Sequence, residues 1–564
     1  MKKAAALLLA LVLTLTFVLS GCSSDDTSGG SADSDKETSS SKDNDGSSSD
    51  TAKASSGFDG TFPLDEQITL TLFVHARPNV DNFENNAMTK KIEEMTNINL
   101  EFVVATENEA QEKLNLLLAT GDYPDLLMTK QLSEAQQALY GSQGVLIPLN
   151  DLIDQYGENT KALFAEMPIV EDRATMTDGN IYNLPTVNEC YHCYSTQKLW
   201  IYKPWLDALG LDMPQTTEEY YKVLKAFATE DPNGNGEADE IPLAGAIKGW
   251  EAGVEMFLMN SFVYTANQSG GEKLFVDNGT VTASYATDGW KEGLKYMQML
   301  RSEGLLAEES FTQANDGLKQ MGENPGEIIL GSFPGGAPGV GTDMSGDRWR
   351  DYVTVPALEG PTGLRQVKYN PFGSVAAGLS ITDKCENPDI AMALADLLYT
   401  EELSMDNGVG PYGTAWEYVE DDSLKGINGE PALWNELIPL AEQDPNLFWN
   451  QMGNAYRPAS QRLGRYNEDP NNIEIVLYQE TKANYEPYWP DVDQLLPPMV
   501  LTENQSAELL TYSTSISEYV KEKTAEFIVT DVDIDAVWDN YIEELNNMGL
   551  PNMLAVYQEA YDAR

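Results

Sequence analysis

Apolar and amphipathic stretches alternate at the start of the globular part of the chain and predict a parallel α/β sheet. Residues 68–74, 98–104 and 126–128 are apolar runs of strand length. Between them, residues 85–97 and 107–120 carry apolar side chains at helical spacing. A strand–helix–strand–helix–strand order with these spacings predicts parallel strands joined by helical crossovers, so the predicted fold class is α/β.

The carboxyl ends of these strands are the expected edge for a ligand, because parallel α/β sheets bind ligands there. The loops at that edge are residues 75–77 after the first strand and residues 129–131 after the third strand. Arg77 and Lys130 lie in these loops, and we expect both side chains to contact a ligand.

The first 22 residues have the pattern of a secretory signal. Lys2 and Lys3 precede an apolar run over residues 4–18, and Leu-Ser-Gly-Cys follows, ending at Cys22. The run is short for a membrane-spanning helix. Leu-Ser-Gly-Cys resembles the lipobox of bacterial lipoproteins, which implies removal of a signal peptide over residues 1–21 and attachment of lipid, such as palmitate, to Cys22. An ordinary signal peptide with a coincidental cysteine is the alternative.

A polar segment over residues 22–57 follows the signal. It consists almost entirely of Ser, Asp, Gly, Thr, Lys and Ala. Such a segment has no apolar surface to bury, so we expect a disordered tether, with the folded region beginning at Phe58. The remaining chain of about 500 residues is too long for a single hydrophobic core, so two lobes are expected.

The charge balance of the chain is strongly acidic. The 35 Lys and Arg residues face 90 Asp and Glu residues, for a formal net charge of −55. This balance argues against a nucleic-acid partner and against adhesion to anionic lipid through a basic patch. No basic cluster is evident along the sequence, so nothing in it indicates an acidic sugar as the ligand.

Cysteine and histidine are scarce, with four and two residues respectively. Cys190 and Cys193 have CxxC spacing, and we expect either a local disulfide or two reduced thiols. A redox motif would open a helix in a thioredoxin-like unit, and a zinc site needs four ligands; neither pattern is present. The sequence also lacks a nucleophile elbow, a P-loop, an HExxH motif and a cofactor fingerprint, so an enzyme is not expected.

Five short segments follow one another in an informative order. They are ATGDYPDLL at 119–127, GVLIPL at 144–149, DGNIYNLP at 178–185, LWIYKPWL at 199–206 and YQEAYDAR at 557–564. Together with the lipobox, this order resembles the extracellular solute-binding lipoproteins of ABC importers, in the large sugar-binding family. The resemblance is strongest to the oligosaccharide-binding branch that includes alginate-binding proteins, and it extends from about residue 62 to the end.

The resemblance implies a type II periplasmic-binding-protein-like fold, in which a hinge joins two α/β lobes. The first lobe would comprise residues 58–185 and about 373–440. The second lobe would comprise residues 186–372 and about 441–564, including a helical C-terminal extension. Ligand would be enclosed between the two lobes.

The connections between the lobes are also implied by the resemblance. Residues 183–185 lie where the first hinge strand is expected, and residues 373–381 resemble the strand that returns to the first lobe. A helix is expected over residues 387–399.

The implied function is that of a lipid-anchored receptor on the extracellular face of a bacterial cell membrane. It would capture an oligosaccharide as a monomer and deliver it to the permease of an ABC importer. A surface glycan-processing enzyme, an adhesin, or a receptor for a peptide or another solute is the alternative.

One loop has the spacing of a calcium site. Side-chain oxygens recur at alternate positions from Asp231, and Gly236 stands where a calcium loop turns sharply. Position twelve is Pro242 rather than the glutamate of an EF-hand, so Glu240 and the backbone carbonyl of Glu237 are expected to complete the site. Alginate-binding relatives carry a similar loop with a structural calcium; a metal-free turn is the alternative. The expected ligands are Asp231, Asn233, Asn235, Glu237, Asp239 and Glu240.

Sugar sites combine aromatic rings with planar polar side chains, and the resemblance extends to the loops of maltose-binding proteins. Asn188 and Glu189 follow the hinge where that family places a sugar-binding carboxylate, and Phe333 lies in a segment resembling its Gly-Pro-Trp stretch. Trp205, Trp290 and Trp538 lie in amphipathic helices and are expected in the core. The expected ligand contacts are Arg77, Lys130, Asn188, Glu189, Trp250, Glu251, Phe333, Trp416 and Trp449.

Overall fold

The computed structural model describes residues 57–77, 80–106, 109–265, 273–438, 443–499 and 501–563. These residues belong to one compact unit. The predicted signal peptide, Cys22 and the predicted tether up to residue 56 lie outside the described residues. Within the described ranges, no helix combines the length and the apolar character needed to cross a membrane.

The described residues form fourteen β-strands, several of them only two or three residues long. In chain order they are β1 (Ile68–His75), β2 (Ile98–Ala105), β3 (Leu126–Met128), β4 (Leu184–Asn188), β5 (Lys198–Tyr202), β6 (Leu274–Asp277), β7 (Thr280–Ala283), β8 (Ser332–Gly335), β9 (Tyr352–Val355), β10 (Val375–Ile381), β11 (Trp416–Tyr418), β12 (Trp434–Glu436), β13 (Tyr456–Arg457) and β14 (Arg465–Tyr466).

Eighteen α-helices connect and cover these strands in the described part of the chain. They are α1 (Ala87–Thr96), α2 (Ala110–Thr120), α3 (Glu134–Ser142), α4 (Asn150–Tyr156), α5 (Glu158–Glu166), α6 (Pro168–Ala174), α7 (Lys203–Leu209), α8 (Thr217–Thr229), α9 (Val254–Met259), α10 (Asp288–Ser302), α11 (Asn315–Gly322), α12 (Pro388–Leu397), α13 (Glu401–Val409), α14 (Ala459–Leu463), α15 (Ile473–Asn484), α16 (Glu503–Val529), α17 (Ile534–Asn547) and α18 (Leu550–Asp562).

The largest sheet has six strands in the order β13-β4-β10-β3-β1-β2. β1 runs parallel to both β2 and β3, and α1 and α2 form the crossovers, so the predicted parallel α/β unit is confirmed. α1 begins two residues later than predicted because Asn86 caps it, its side chain accepting a hydrogen bond from the Met88 N–H at 3.0 Å.

The two predicted connecting strands, β4 and β10, lie side by side in this sheet. β10 is antiparallel to β3 and β4, and β13 adds in parallel to the other side of β4. The Asn183 side chain links the pair, donating to Ser380 Oγ at 2.8 Å and accepting from the Gly378 N–H at 2.9 Å. β4 is therefore held on both sides, and the chain leaves it at a fixed position.

Two large apolar cores lie in the described part of the chain. The first packs against the six-stranded sheet and includes α12, together with Trp449 and Met452. The lobe division expected near residue 440 placed those two residues in the other lobe. They reach the first core because the segment that contains them leads into β13, which pairs with β4.

The second core packs α7, α8 and α10 against a three-stranded sheet of order β8-β5-β9. The C-terminal helices α16, α17 and α18 contribute apolar side chains to the same core. Trp205, Trp290 and Trp538 are buried there, as predicted. A separate small sheet, β11-β12-β14, forms in the segment between α13 and α15.

Candidate functional site

The exit of β4 is the point from which the candidate site is built. The Asn188 N–H donates to the Ser374 carbonyl at 2.8 Å, and the Glu189 N–H donates to the Arg457 carbonyl at 2.9 Å. The Glu189 carboxylate accepts a hydrogen bond from the Ala459 N–H at 2.9 Å. Both predicted polar residues therefore stand where the sheet ends, fixed by strands on either side.

A disulfide between Cys190 and Cys193 closes the turn that follows β4. His192 lies between the two cysteines in the sequence, and the ligand atoms of all three side chains lie within 4.8 Å of one another. The two sulfurs are bonded to each other and are not thiolate ligands, so this group does not form a metal site. Of the two expected states of the CxxC pair, the structure has the disulfide.

The side chain of a buried lysine, Lys198, stabilises the same turn. Lys198 Nζ donates to the Ser195 carbonyl at 2.7 Å and to the His192 carbonyl at 3.2 Å. Burial lowers the pKa of Lys198 to about 7, against the opposing charge of Glu251. The lysine thus satisfies backbone carbonyls of the turn, and it does not reach a ligand from that position.

Four half-buried aromatic rings, which we name the hinge aromatic cluster, surround this turn: Tyr191, Tyr194, Tyr369 and Trp489. Tyr369 and Trp489 are stacked, with ring centroids 4.5 Å apart and planes inclined at 16°. The rings of Tyr191 and Tyr194 each lie 6.0 Å from the Trp489 ring. Trp489 Nε1 donates to Ser195 Oγ at 2.7 Å, which ties the cluster to the turn after β4.

Trp250 extends the aromatic surface on the side of the second core. Its side chain is 48% exposed, and its ring lies over Gly336, where an added Cβ would come within 2.4 Å of the ring. The neighbouring Glu251 accepts from Thr196 Oγ1 at 2.7 Å and forms an ion pair with Lys368. Lys368 directly precedes Tyr369, so this ion pair links the Trp250 loop to the hinge aromatic cluster.

Positive side chains also collect near the β4 exit, in what we name the basic cluster: Arg77, Lys130 and Arg457. Arg77 Nε donates to the Asn450 carbonyl at 3.3 Å. Desolvation, and then the charges of Arg77 and Arg457, lower the pKa of Lys130. No local run of basic residues marks this cluster in the sequence, because folding brings together residues that are far apart along the chain.

Amides accompany the basic cluster. The Asn188 side-chain N–H donates to Gln451 Oε1 at 3.3 Å, while Asn188 Oδ1 is buried and has no hydrogen-bond partner among the described residues. Asn450 and Gln451 adopt φ angles of +49° and +64°, a left-handed conformation that is rare for residues other than glycine. Such backbone strain is typical of functional loops.

A cavity of about 140 Å³ adjoins this group. The cavity lies between α13, the small sheet and the start of α15. Its polar lining consists of Gln451, Arg457, Arg462, Arg465, Glu436 and Glu474, and the Trp434 ring also contributes.

Three predicted stacking residues offer no surface to a ligand. Phe333 and Trp416 are fully buried and Trp449 is 1% exposed. Phe333 packs against Tyr352, with ring centroids 5.1 Å apart. The Trp416 and Trp449 indole N–H groups donate to Asp406 at 3.0 Å and to Thr89 at 2.8 Å. A ring enclosed on both faces cannot stack on a sugar, so these three belong to the cores and not to the site.

The predicted calcium loop forms a tight series of turns. Asp231 accepts hydrogen bonds from the N–H groups of Asn235 and Gly236, at 3.1 and 3.0 Å. The Asn233 and Asn235 side chains both donate to the Asp239 carboxylate, at 3.0 and 3.1 Å. The oxygen-bearing side chains therefore face one another across the loop.

The burial and hydrogen bonding of Glu240 indicate whether these residues could bind a cation. Its Oε1 is buried without a hydrogen-bond partner among the described residues. Burial, and then the charges of Asp239 and Asp231, raise the pKa of Glu240. A hard cation takes several oxygen ligands, so an orphaned carboxylate oxygen beside two further carboxylates fits Ca²⁺.

Several residues of the site were not expected from the sequence. They are Tyr191, Tyr194, Tyr369, Gln451, Arg457, Arg462, Arg465 and Trp489. Tyr191 lies between the two cysteines and Tyr194 follows Cys193, directly after β4, and that position could have indicated them. Arg457 and Trp489 have no such signal, because only the pairing of β13 and the path after α15 bring them to β4.

Comparison with known proteins agrees with this architecture. Residues 81–404 match the family of bacterial extracellular solute-binding proteins. The fructooligosaccharide ABC transporter substrate-binding protein FusA of Streptococcus pneumoniae is 29% identical over 514 residues, which cover 89% of this chain and 91% of FusA. The polygalacturonan/rhamnogalacturonan-binding protein YtcQ of Bacillus subtilis is 24% identical, and the match covers 98% of each chain.

Solved structures of relatives superpose over most of the chain. FusA in complex with kestose has a TM-score of 0.72 at 27% identity, covering 88% of this chain and 99% of FusA. A FusA EF-hand mutant in complex with fructo-nystose has a TM-score of 0.73 at 26% identity, with the same coverage. An extracellular solute-binding protein from Bifidobacterium longum subsp. infantis has a TM-score of 0.75 at 26% identity, covering 89% and 99% of the two chains.

These likenesses confirm the predicted fold class, an α/β solute-binding protein fold with additional helices at the C-terminus. The family match spans more than half of the sequence. The chain belongs to the family of bacterial extracellular solute-binding proteins.

Proposed function

We propose that this chain is the substrate-binding component of an ABC importer and that it captures an oligosaccharide beside the exit of β4. The observation that carries the proposal is the hinge aromatic cluster, four half-buried rings around a disulfide-closed turn at the exit of β4, where Tyr194 lies beside the Glu189 carboxylate. Family membership and the likeness to FusA, a fructooligosaccharide-binding protein, support it.

The two sides of the β4 exit would act on different parts of the ligand. Aromatic rings offer flat apolar surface to the carbon-bound faces of a sugar ring, while their polar ends remain hydrogen-bonded. Asn188, Glu189 and Gln451 present amide and carboxylate groups that fix hydroxyls in orientation. A ligand that contacts both sides stabilises a closed arrangement of the lobes, because it binds that arrangement more tightly than an open one.

Attachment to the membrane is the second part of the proposal. Cys22, as the lipidated residue of the mature protein, would hold the receptor on the extracellular face of a bacterial membrane through the polar segment up to residue 57. Cys22→Ser should release the protein into the medium, and retention of this variant in the membrane fraction would contradict the anchor.

Calcium is the third part. We propose that Asp231, Asn233, Asn235, Asp239, Glu240 and the Glu237 carbonyl hold a structural Ca²⁺. The orphaned Glu240 oxygen supports this assignment, and so does the EF-hand named for FusA. The ion would neutralise the converging carboxylates and brace the loop, without taking part in ligand binding.

Thermal melting tests the receptor role directly. The full-length protein in detergent is melted with a panel of fructans, pectic fragments, alginate fragments and other oligosaccharides. A ligand that binds only the folded state raises the melting temperature, by the equivalent of about 2.7 kcal/mol at a hundred times its Kd. The expected result is a shift with one glycan class, and mass spectrometry should recover that glycan intact. Shortened glycan would indicate an enzyme, and no shift with any glycan would contradict a sugar receptor.

A further inference from the structure

We infer that Arg457 anchors an acidic group of the ligand, so that this receptor prefers oligosaccharides bearing a uronic acid to their neutral counterparts. The inference rests on the proposed function, because it concerns the same site, and it specifies the class of glycan.

The position of Arg457 places its side chain at the centre of the site. β13 pairs in parallel with β4, and Arg457 lies opposite Asn188 in the register. Its guanidinium packs against α13 at Gly408, where an added Cβ would lie 2.8 Å from one terminal nitrogen. The glycine therefore leaves the space that the guanidinium occupies.

Both neighbouring arginines form ion pairs, whereas Arg457 forms none among the described residues, although the charge of Glu474 also acts on it. Arg462 makes hydrogen bonds to both carboxylate oxygens of Glu474, at 3.0 and 3.1 Å, and Arg465 forms an ion pair with Glu436. Arg457 Nε is buried and has no hydrogen-bond partner within the described ranges. Burial, and then the charge of Arg462, lower the pKa of Arg457 to about 10. Arg457 as a whole is half-buried. A buried donor without a partner is costly, and a ligand acceptor at this position would supply the partner.

The surroundings favour a carboxylate. The guanidinium fork matches a carboxylate in two parallel hydrogen bonds, and such charge-assisted pairs are stronger than neutral ones. Arg77 and Lys130 add positive charge on the same side, in a chain whose net charge is −55. Compared with the roughly 300–1,000 Å³ of sites that enclose a whole drug-sized ligand, a cavity of about 140 Å³ suits one terminal sugar unit.

Titration calorimetry with matched acidic and neutral ligands tests this inference. The probes are oligomers of galacturonate, mannuronate, guluronate and glucuronate, each paired with its methyl ester, which keeps the carbon skeleton and removes the charge. Neutral fructans and sodium sulfate complete the panel. At least one acidic oligomer should bind the full-length protein about tenfold to a hundredfold more tightly than its ester. Arg457→Gln should remove that difference, and Arg457→Lys, which keeps the charge but loses the fork, should restore part of it.

The control variant is Arg350→Gln, which removes an arginine whose side chain is 39% exposed and makes surface ion pairs. It should leave the acid-to-ester ratio unchanged. Arg457→Met supplies a second measurement, because removal of an unpaired charge should leave the melting temperature of the ligand-free protein equal or higher. A strongly lowered melting temperature would assign Arg457 to structure and overturn the inference.

The remaining outcomes separate this inference from the proposed function. If a neutral fructan, or an ester, binds as tightly as any acid, the inference fails while the oligosaccharide receptor stands. If sulfate binds and no glycan does, the site holds a free anion and the inference fails. If no probe binds, the inference fails as well. In both cases the oligosaccharide receptor fails only if the wider glycan panel also gives no shift in melting temperature.

Discussion

Trp489 is the residue on which the aromatic half of the site depends. Its ring stacks on Tyr369, and its N–H is fixed on Ser195. Trp489→Ala removes the shared stacking surface, so we expect the affinity for the glycan that stabilises the wild type most to fall about tenfold, since an aromatic contact contributes about 0.5–1.5 kcal/mol beyond its buried area. Titration calorimetry measures this loss.

The matched control is Tyr519→Ala. Tyr519 forms a comparable stack with Tyr541, with ring centroids 5.7 Å apart and planes inclined at 14°, on the C-terminal helices. Both variants should lose some stability, but only Trp489→Ala should lose affinity. Equal affinities for the two variants would remove the hinge aromatic cluster from the proposed site.

Gly408 provides a test of the guanidinium position that leaves every charge in place. In Gly408→Ala, the new Cβ would lie 2.8 Å from a terminal nitrogen of Arg457, so the guanidinium must move. Alanine also stabilises a helix by about 1 kcal/mol relative to glycine. We therefore expect an unchanged or higher melting temperature together with about tenfold weaker glycan binding.

Gly317→Ala in α11 is the corresponding control, because its Cβ meets only the side chain of Gln313, at 2.6 Å from Oε1. It should leave affinity unchanged. Full affinity in Gly408→Ala would mean that Arg457 does not need its present position to bind ligand.

The ionisation of Glu474 makes the free energy of unfolding depend on pH in the acidic range. Burial raises the pKa of Glu474, but the hydrogen bond with His192 and the charge of Arg462 outweigh it, so the pKa lies well below its usual 4.5. A carboxyl with a depressed pKa in the folded state contributes stability above its unfolded value, and this stability is lost as pH falls through the folded value. Glu474→Gln should lower the stability by about 2 kcal/mol at pH 7.

The difference in melting temperature between wild type and Glu474→Gln should stay constant above about pH 5.5 and shrink as pH falls below 4.5. Exposed Glu468, which lies outside this network, gives the control variant Glu468→Gln, with no such difference at any pH. A difference that grows toward low pH would contradict the assigned direction of the shift.

At the scale of elements, the calcium loop is the feature with the clearest chemical consequence. EDTA should lower the melting temperature of the full-length protein, and excess Ca²⁺ should restore it, because the metal binds only the folded loop. Asp231→Asn should weaken or abolish this response. Differential scanning calorimetry with and without chelator makes the measurement.

Glu237→Gln is the informative control, because the proposed site uses only the backbone carbonyl of Glu237. Its melting temperature should respond to EDTA as the wild type does. A wild type indifferent to EDTA would show that the loop is a metal-free turn, which the sequence pattern also allows.

The helices and strands with strong apolar periodicity could be predicted from the sequence, whereas most residues of the candidate site could not. β1, β2, β3 and the helices between them follow from apolar spacing, and their ends shift by only a few residues where a cap such as Asn86 decides the boundary. Asn188 and Glu189 were predicted from their position at the end of the first hinge strand, and they lie at the exit of β4. Phe333, Trp416 and Trp449 failed as stacking candidates because aromatic identity in a loop does not reveal burial, which tertiary packing decides.

At the scale of the whole molecule, the proposed site exists only because distant segments meet at β4. Because β13 pairs with β4, Arg457 reaches the sheet from a distant part of the chain. The segment after α15 places Trp489 against the disulfide-closed turn. No local sequence pattern predicts either of these contacts. We accordingly propose that the segment up to residue 457 belongs with the first lobe, beyond the boundary near residue 440 that the sequence favoured.

The central claim is that an oligosaccharide binds between the hinge aromatic cluster and the basic cluster, and a crystal structure tests it most directly. The full-length protein would be crystallised with the glycan that raises its melting temperature most. We expect an intact glycan with a sugar ring against Trp489 or Tyr369 and a polar contact to Arg457 or Asn188. A glycan bound elsewhere, or one cleaved in the crystal, would contradict it.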